Sequence, residues 1–188
     1  MKARLLLTFW ICAACYASGQ TKTAEELDQV ARVASVMVDG DVCERILTPR
    51  AAQHLLKVDP RDQWAASDNF DVNHDAYIQI KKTLIRLGRL GPPHTDVNLW
   101  MPVPGDPSRI QVMIRNVNEI SQFWTWGDLH QPMPPEMKEV LTTGKRKTVM
   151  QKPNFISVLA PVSNSLGDVV GLVEVVKQLV DDPHGNVK

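Results

Sequence analysis

The sequence predicts an α+β fold: a long N-terminal helix, further helices packed on one side, and a five-stranded antiparallel sheet drawn from the second half of the chain. Three observations carry this. Two apolar, β-branched runs, Asn154 to Val162 and Val169 to Val176, flank the polar Ser163-Asn164-Ser165-Leu166-Gly167-Asp168, which is the local pattern of a β-hairpin. Leu27, Val30, Ala31, Ala34 and Val38 recur at helical spacing. After Gly91-Pro92-Pro93 the apolar period changes from about 3.6 to about 2, the mark of a passage from helices to strands.

The chain has 188 residues and a formal net charge of zero, which suits one domain with extensions. Without a net field, neither a nucleic-acid face nor attraction to an anionic membrane is expected. Residues 1–19 read as an export signal. Lys2 and Arg4 start it, Leu5 to Ala14 form an apolar centre too short to span a bilayer, and Ala17-Ser18-Gly19 offers small residues for cleavage. The protein is therefore expected to be periplasmic or secreted. Cys12-Ala13-Ala14-Cys15 resembles a bacterial lipobox in which Cys12 stands for the usual leucine, so lipid anchoring through Cys15 is the alternative. The mature chain would be slightly acidic and would keep Cys43, with Cys15 if it is anchored, so no disulfide framework is expected.

In order, the expected units are the signal at 1–19, an N-terminal helix at 20–40, a single domain at 41–180 and a polar tail at 181–188. Thr23 and Glu26 form a capping box, and Asp39-Gly40 ends the helix. Asp41 to Val58 reads as short helical pieces divided at Pro49, a residue suited to a first helical turn. Trp64 and Phe70 are expected to pin the polar stretch that follows. His74 to Leu90 is a helix with Ala76, Ile78, Ile80, Leu84 and Leu87 inward and Asn73 or Asp75 near its cap. Val97, Leu99 and Met101 mark a first strand and Ile110, Val112 and Ile114 a second, joined by a turn running from Pro102 through Pro107. Asn116 to Pro135 is a connection holding Phe123, Trp124 and Trp126, either a lid over a pocket or plain packing on the sheet. Pro135 to Thr142 is a short helix ending before Gly144, and Lys145 to Met150 is a polar edge strand.

Leu141-Thr142-Thr143-Gly144-Lys145, then Ile156 to Val162, then Gly167 to Val176 resemble, in order and wording, the extracytoplasmic Cache sensor domains. The export signal and long first helix fit that resemblance, in a stand-alone single-domain form. It implies a PAS-like fold with a pocket on one sheet face for a small carboxylate, amino acid or amine. It also implies a conformational signal passed on through flanking helices. No signalling module accompanies the domain here, so the implied partner is a separate membrane signalling protein.

Arg115 is the candidate clamp for a ligand carboxylate, because a guanidinium grips that group through two parallel hydrogen bonds. An internal ion pair and solvent exposure are its competing readings. Glu174 shares a strand face with Val170, Leu172 and Val176, where a carboxylate has to be paired, wet or protonated. A basic residue of the protein and a ligand ammonium are its two candidate partners. If Arg115 and Glu174 face one cavity, a zwitterion is the natural ligand. Asn98, Trp100, Trp124 and Trp126 complete the candidate site as an apolar or cation-binding wall, with Asp96 alongside, although tryptophan also serves as core.

Other chemistry finds little support. Asp71, Asn73 and Asp75 imitate the start of a calcium loop, but Ala76 replaces its glycine and Thr83 its final glutamate, so helix capping explains the run. The five histidines show no metal spacing, Asn164-Ser165-Leu166-Gly167 lacks a leading glycine for a nucleophile elbow, and Thr143-Gly144-Lys145 lacks the upstream glycine of a phosphate loop. The expectation is an exported, non-catalytic, sensor-like module without cofactor, binding an organic acid, amino acid or amine. The alternative is an envelope structural or interaction module without a ligand, its first helix pairing in a homodimer.

Overall fold

A computed structural model describes residues 3–57, 72–124 and 130–179. Trp64, Phe70, Trp126 and the tail from Asp181 lie outside these residues, as does the side chain of Cys15. The chain opens with α1 (Ala3–Met37), α2 (Gly40–Glu44), α3 (Pro49–Lys57) and α4 (His74–Gly88). Then come β1 (Thr95–Val103), β2 (Asp106–Ile114), β3 (His130–Pro132), α5 (Pro135–Thr143), β4 (Lys147–Val149), β5 (Phe155–Ser163) and β6 (Val169–Gln178). The sheet order is β3-β2-β1-β6-β5-β4, with every neighbouring pair antiparallel. No helix among the described residues is long and apolar enough to cross a membrane.

The class is α+β, as expected, but the sheet has six strands rather than five. The additional one is β3, three residues at the far end of the connection, paired with Arg109 to Gln111 of β2. So short a strand, ending in a proline, has no alternation to betray it. Helices also cover both faces rather than one. On the first face, Leu27, Val30, Ala31, Ala34 and Val38 of the α1 region pack with Ile80 and Leu84 of α4 onto Val97, Leu99, Ile156, Val158, Val173 and Val175. On the second, Met137 and Val140 of α5 and Phe123 cover Trp100, Ile110, Leu159 and Leu172. A fully buried side chain of this size contributes about 1.5–3 kcal/mol, so both clusters weigh in the fold.

Two of the predicted helix-end signals recur, while the Thr23–Glu26 capping box starts no helix, because α1 runs unbroken from Ala3 through these residues rather than beginning near residue 20. Asn73 accepts from the Ala76 amide at 3.3 Å to start α4, and Gly144 ends α5 in the left-handed conformation at φ 63°. Asp39 does more than end α1. It caps the start of α2 by accepting from the Val42 amide at 3.2 Å. Ile78, expected inward, is 39% exposed, because Ala76, Ile80, Leu84 and Leu87 already fill the buried stripe of α4. The β1–β2 turn is tighter than expected: Val103 pairs with Asp106, leaving Pro104 and Gly105 between, with Gly105 at φ 84°.

One irregularity decides where the functional candidates lie. Leu99 pairs with Ile114 but Trp100 with Val112, so a bulge leaves Met113 unpaired and shifts the alternation by one residue. Ile114 therefore joins the helical face, while Ile110 and Val112 pack on the other, and Arg115 emerges beside Trp124.

The hairpin of β5 and β6 is locked to α2. A Cβ on Gly40 would come within 2.4 Å of the Ser163 carbonyl oxygen, and Asp41 accepts from the Ser165 amide and hydroxyl, each at 3.0 Å. Gly40→Ala is expected to lower unfolding free energy by about 1–3 kcal/mol, since the obstruction is backbone rather than a yielding side chain. Urea denaturation checks this; a change within about 0.5 kcal/mol, the scale of an indifferent surface substitution, would contradict it.

Candidate functional site

On the second sheet face four buried polar side chains stand in an otherwise apolar surface: Asp96 and Asn98 of β1, Ser157 of β5 and Glu174 of β6. Asn98 and Glu174 are direct cross-strand partners. Above them runs the segment 116–124, which crosses the face like a strap. Its backbone cannot join the sheet ladder at that height, so side chains satisfy its polar groups.

The strap is stitched down in sequence. Asn98 Oδ1 accepts from the Asn116 amide at 2.9 Å, and its Nδ2 donates to the Ile120 carbonyl at 2.8 Å. Asp96 accepts from the Asn118 amide at 3.3 Å, from Asn118 Nδ2 at 2.9 Å and from the Ile120 amide at 3.1 Å. Glu174 takes the next residues: Oε2 accepts from Ser121 Oγ at 2.5 Å and Oε1 from the Gln122 amide at 2.8 Å. Its remaining donors come from the sheet, Trp100 Nε1 at 3.2 Å and Ser157 Oγ at 3.0 Å. Gln122 carries the strap to the far edge, donating to the Val149 carbonyl of β4 and accepting from the Lys152 amide at 3.1 Å.

Glu174 is fully buried, and the four groups that donate to it, from Trp100, Ser121, Gln122 and Ser157, are neutral. Burial pushes its pKa up from the ordinary value of 4.5, while the bonds from Ser121, Gln122, Ser157 and Trp100 pull the other way without prevailing. The site thus holds a carboxyl that takes up a proton more readily than an exposed one, in a nest that can serve either form. Phe123 closes the nest by meeting Trp100 edge to face, with ring centroids 6.4 Å apart and planes at 81°.

Trp100, Asn98 and Glu174 are therefore brought together. Arg115 and Trp124 form a second group: the guanidinium lies 4.5 Å from the Trp124 ring centroid and 3.5 Å from Glu119. Glu119 is half-exposed, so that ion pair is weak. Sequence reading did not single out Ser121, Gln122 or Ser157. Ser157 carried a usable signal, a hydroxyl in an apolar run at the same parity as Leu159. Ser121 and Gln122 carried none, since their role is fixed by where the connection lands. Elsewhere, burial pushes the Cys43 thiol up to about 12, which makes it unreactive at neutral pH. No cluster of metal-ligating side chains occurs among the described residues.

Because the folded-state pKa of Glu174 is raised, the folded protein binds more protons than the unfolded chain once pH exceeds about 4.5. Glu174 should therefore favour folding most below that pH and progressively less as pH climbs through its raised pKa. Urea unfolding of wild type and Glu174→Gln across pH 4 to 8 is expected to show this decline in the wild type and its loss in the variant. Parallel profiles would contradict it.

No family model matches the chain, and no curated protein matches it. Among solved structures it is similar to the crystal structure of the A. aeolicus nlh2 GAF domain in an inactive state, at 12% identity and a TM-score of 0.33. The alignment covers 80% of this chain and 83% of that one. The likeness is too loose to carry fold or activity across.

Proposed function

We propose that this chain is an exported, non-catalytic, sensor-like module of the Cache (PAS-like) kind, whose ligand seats under the strap on the face of Trp100 and Glu174. The ligand is an organic acid, an amino acid or an amine, and the readout passes to a separate membrane signalling protein. One observation supports this most. The strap's grip on Glu174 consists of two hydrogen bonds, from Ser121 and Gln122, to a carboxyl whose hydrogen-bond donors among the described residues are all neutral. An incoming ammonium can replace those donors with a stronger, charge-assisted bond, and Arg115 beside Trp124 offers the matching clamp for a carboxylate. Exchange of donors at Glu174 would release or re-seat the strap, which is the conformational change a sensor needs.

A second reading, an envelope interaction module without a ligand, draws on a different observation. Trp100, Phe123, Met137, Leu159 and Leu172 already fill the space beneath the strap with the protein's own side chains. In that reading α1 pairs in a homodimer, and the polar network serves only to anchor the connection.

Thermal-shift screening against amino acids, organic acids and amines separates the two. A ligand at a hundred times its Kd adds about 2.7 kcal/mol, worth several degrees in a chain of this size. At least one ligand class is expected to raise Tm in the wild type, with the rise lost in Glu174→Gln or Arg115→Ala. No stabilisation by any member, together with a dimer that persists without ligand, would favour the second reading.

A further inference from the structure

Of the four hydrogen bonds to the Glu174 carboxyl, only one can be reversed. Oε1 accepts from the Gln122 amide at 2.8 Å and from Ser157 Oγ at 3.0 Å, and Oε2 from Ser121 Oγ at 2.5 Å and Trp100 Nε1 at 3.2 Å. The amide and the indole carry a fixed hydrogen and can only donate. Ser121 is committed as well. Its Oγ accepts from the Phe123 and Trp124 amides, each at 3.0 Å, which fills both lone pairs and leaves its hydrogen for Oε2. Ser157 Oγ has no other hydrogen-bond partner among the described residues, so its hydrogen can turn aside and its oxygen accept.

The carboxyl therefore has one seat for a proton, Oε1 facing Ser157. We infer that a proton taken up there from solvent holds residues 121–124 down on the sheet, which makes the strap a pH-responsive gate. This gate rests on the proposed reading of the strap as the ligand-responsive part, and it adds the proton as a second effector.

The sign follows from what the strap covers. With residues 121–124 seated, Glu174 is 0% exposed, whereas lifting them returns the carboxyl to water, which solvates its charged form. Closure thus raises the affinity for a proton, and by linkage a bound proton favours closure by the same factor. Burial is the largest influence on this carboxyl, ahead of its hydrogen bonds, and no neighbouring charge contributes. The charged groups nearby are engaged elsewhere. Asp96, diagonal to Glu174 on β1, holds Asn118 and Ile120, and on the strap Glu119 pairs with Arg115. Lys152 of the β4–β5 turn donates to the Ser121 carbonyl at 3.1 Å. On α5, Glu139 pairs with Lys147, Lys138 is exposed, and Glu136 stands in the first turn. The cross-strand neighbour on β5, Leu159, is apolar. As pH climbs through the titration of Glu174, the 121–124 end loosens while Asp96 and Asn98 still pin Ile120. A proton and an ammonium ligand then compete for one carboxyl.

The test is an NMR titration of the full chain from about pH 4 to 9 without ligand. It reads the side-chain carboxyl carbon of Glu174 and the hydrogen exchange of the Gln122 amide, corrected for the intrinsic effect of pH and divided by that of the β1 amides. The carboxyl carbon is expected to titrate with a midpoint above 4.5. Across it the exchange ratio should rise at least about tenfold, one decade for each unit by which closure raises the midpoint. Glu174→Gln, which cannot ionise, should give a ratio that is flat with pH. Neutron diffraction below the midpoint should find the deuteron on Oε1. A midpoint at or below 4.5, a flat ratio in the wild type, a ratio that rises equally in Glu174→Gln, or a deuteron on Oε2 would overturn the inference. The wild-type readings decide it even where the variant fails to fold. A flat wild-type ratio together with a thermal shift by amino acids or amines would remove the gate and leave the ligand reading standing.

Discussion

The carboxyl of Glu174 is the constraint around which the second face of the sheet is arranged. A carboxyl at 0% exposure has lost its hydration, and several kcal/mol of that loss have to be recovered locally, by hydrogen bonds or by protonation. Recovery here comes from three places at once: Trp100 on β1, Ser157 on β5 and the Ser121–Gln122 pair on the strap. The connection between β2 and β3 therefore cannot settle anywhere else on the sheet without stranding an acid. Asp96 and Asn98 repeat the logic along the neighbouring strand β1, so the path of the strap is written by polar contacts, and Phe123 adds its apolar seal.

This arrangement divides the molecule into two parts of different character. The face covered by α1 and α4 is held by close-packed aliphatic side chains, a cohesion that no small solute can substitute. The strap face depends on hydrogen bonds whose donors are individually replaceable, at about 0.5–1.5 kcal/mol net each and more where charge is involved. Elements bound in this way are the ones that move in ligand-responsive proteins. Under the proposed sensor function, this difference in cohesion, rather than any single residue type, would make the strap the responsive part.

Much of the frame is legible in the sequence because it is local. The apolar spacing of α1 and α4, the Asn73 cap, the Gly144 stop and the β5–β6 hairpin each follow from a few neighbouring residues. Glu174 is legible for the same reason, as the one acid among apolar strand neighbours. What stays hidden is set by long-range geometry. The bulge at Met113 has no local mark, yet it decides which face Ile114 takes and where Arg115 emerges. The three-residue β3 is too short to show a period, and α5 covers the second face because the crossover lands there, which no pattern within α5 reveals. Ser121 and Gln122 gain their importance from Glu174, more than fifty positions away.

Native-state hydrogen exchange at the Ile120 and Gln122 amides tests most directly whether buried acids hold the strap. Both amides donate to these acids, at 3.1 Å to Asp96 and 2.8 Å to Glu174. In the wild type they should be protected to a degree comparable with the amides of β1. In Glu174→Ala the Gln122 amide should exchange at least tenfold faster relative to the β1 amides, corresponding to about 1.4 kcal/mol of lost local stability. Equal slowing or speeding of strap and strand, with their ratio unchanged, would show that the strap is held by its apolar contacts and that Glu174 is incidental to it.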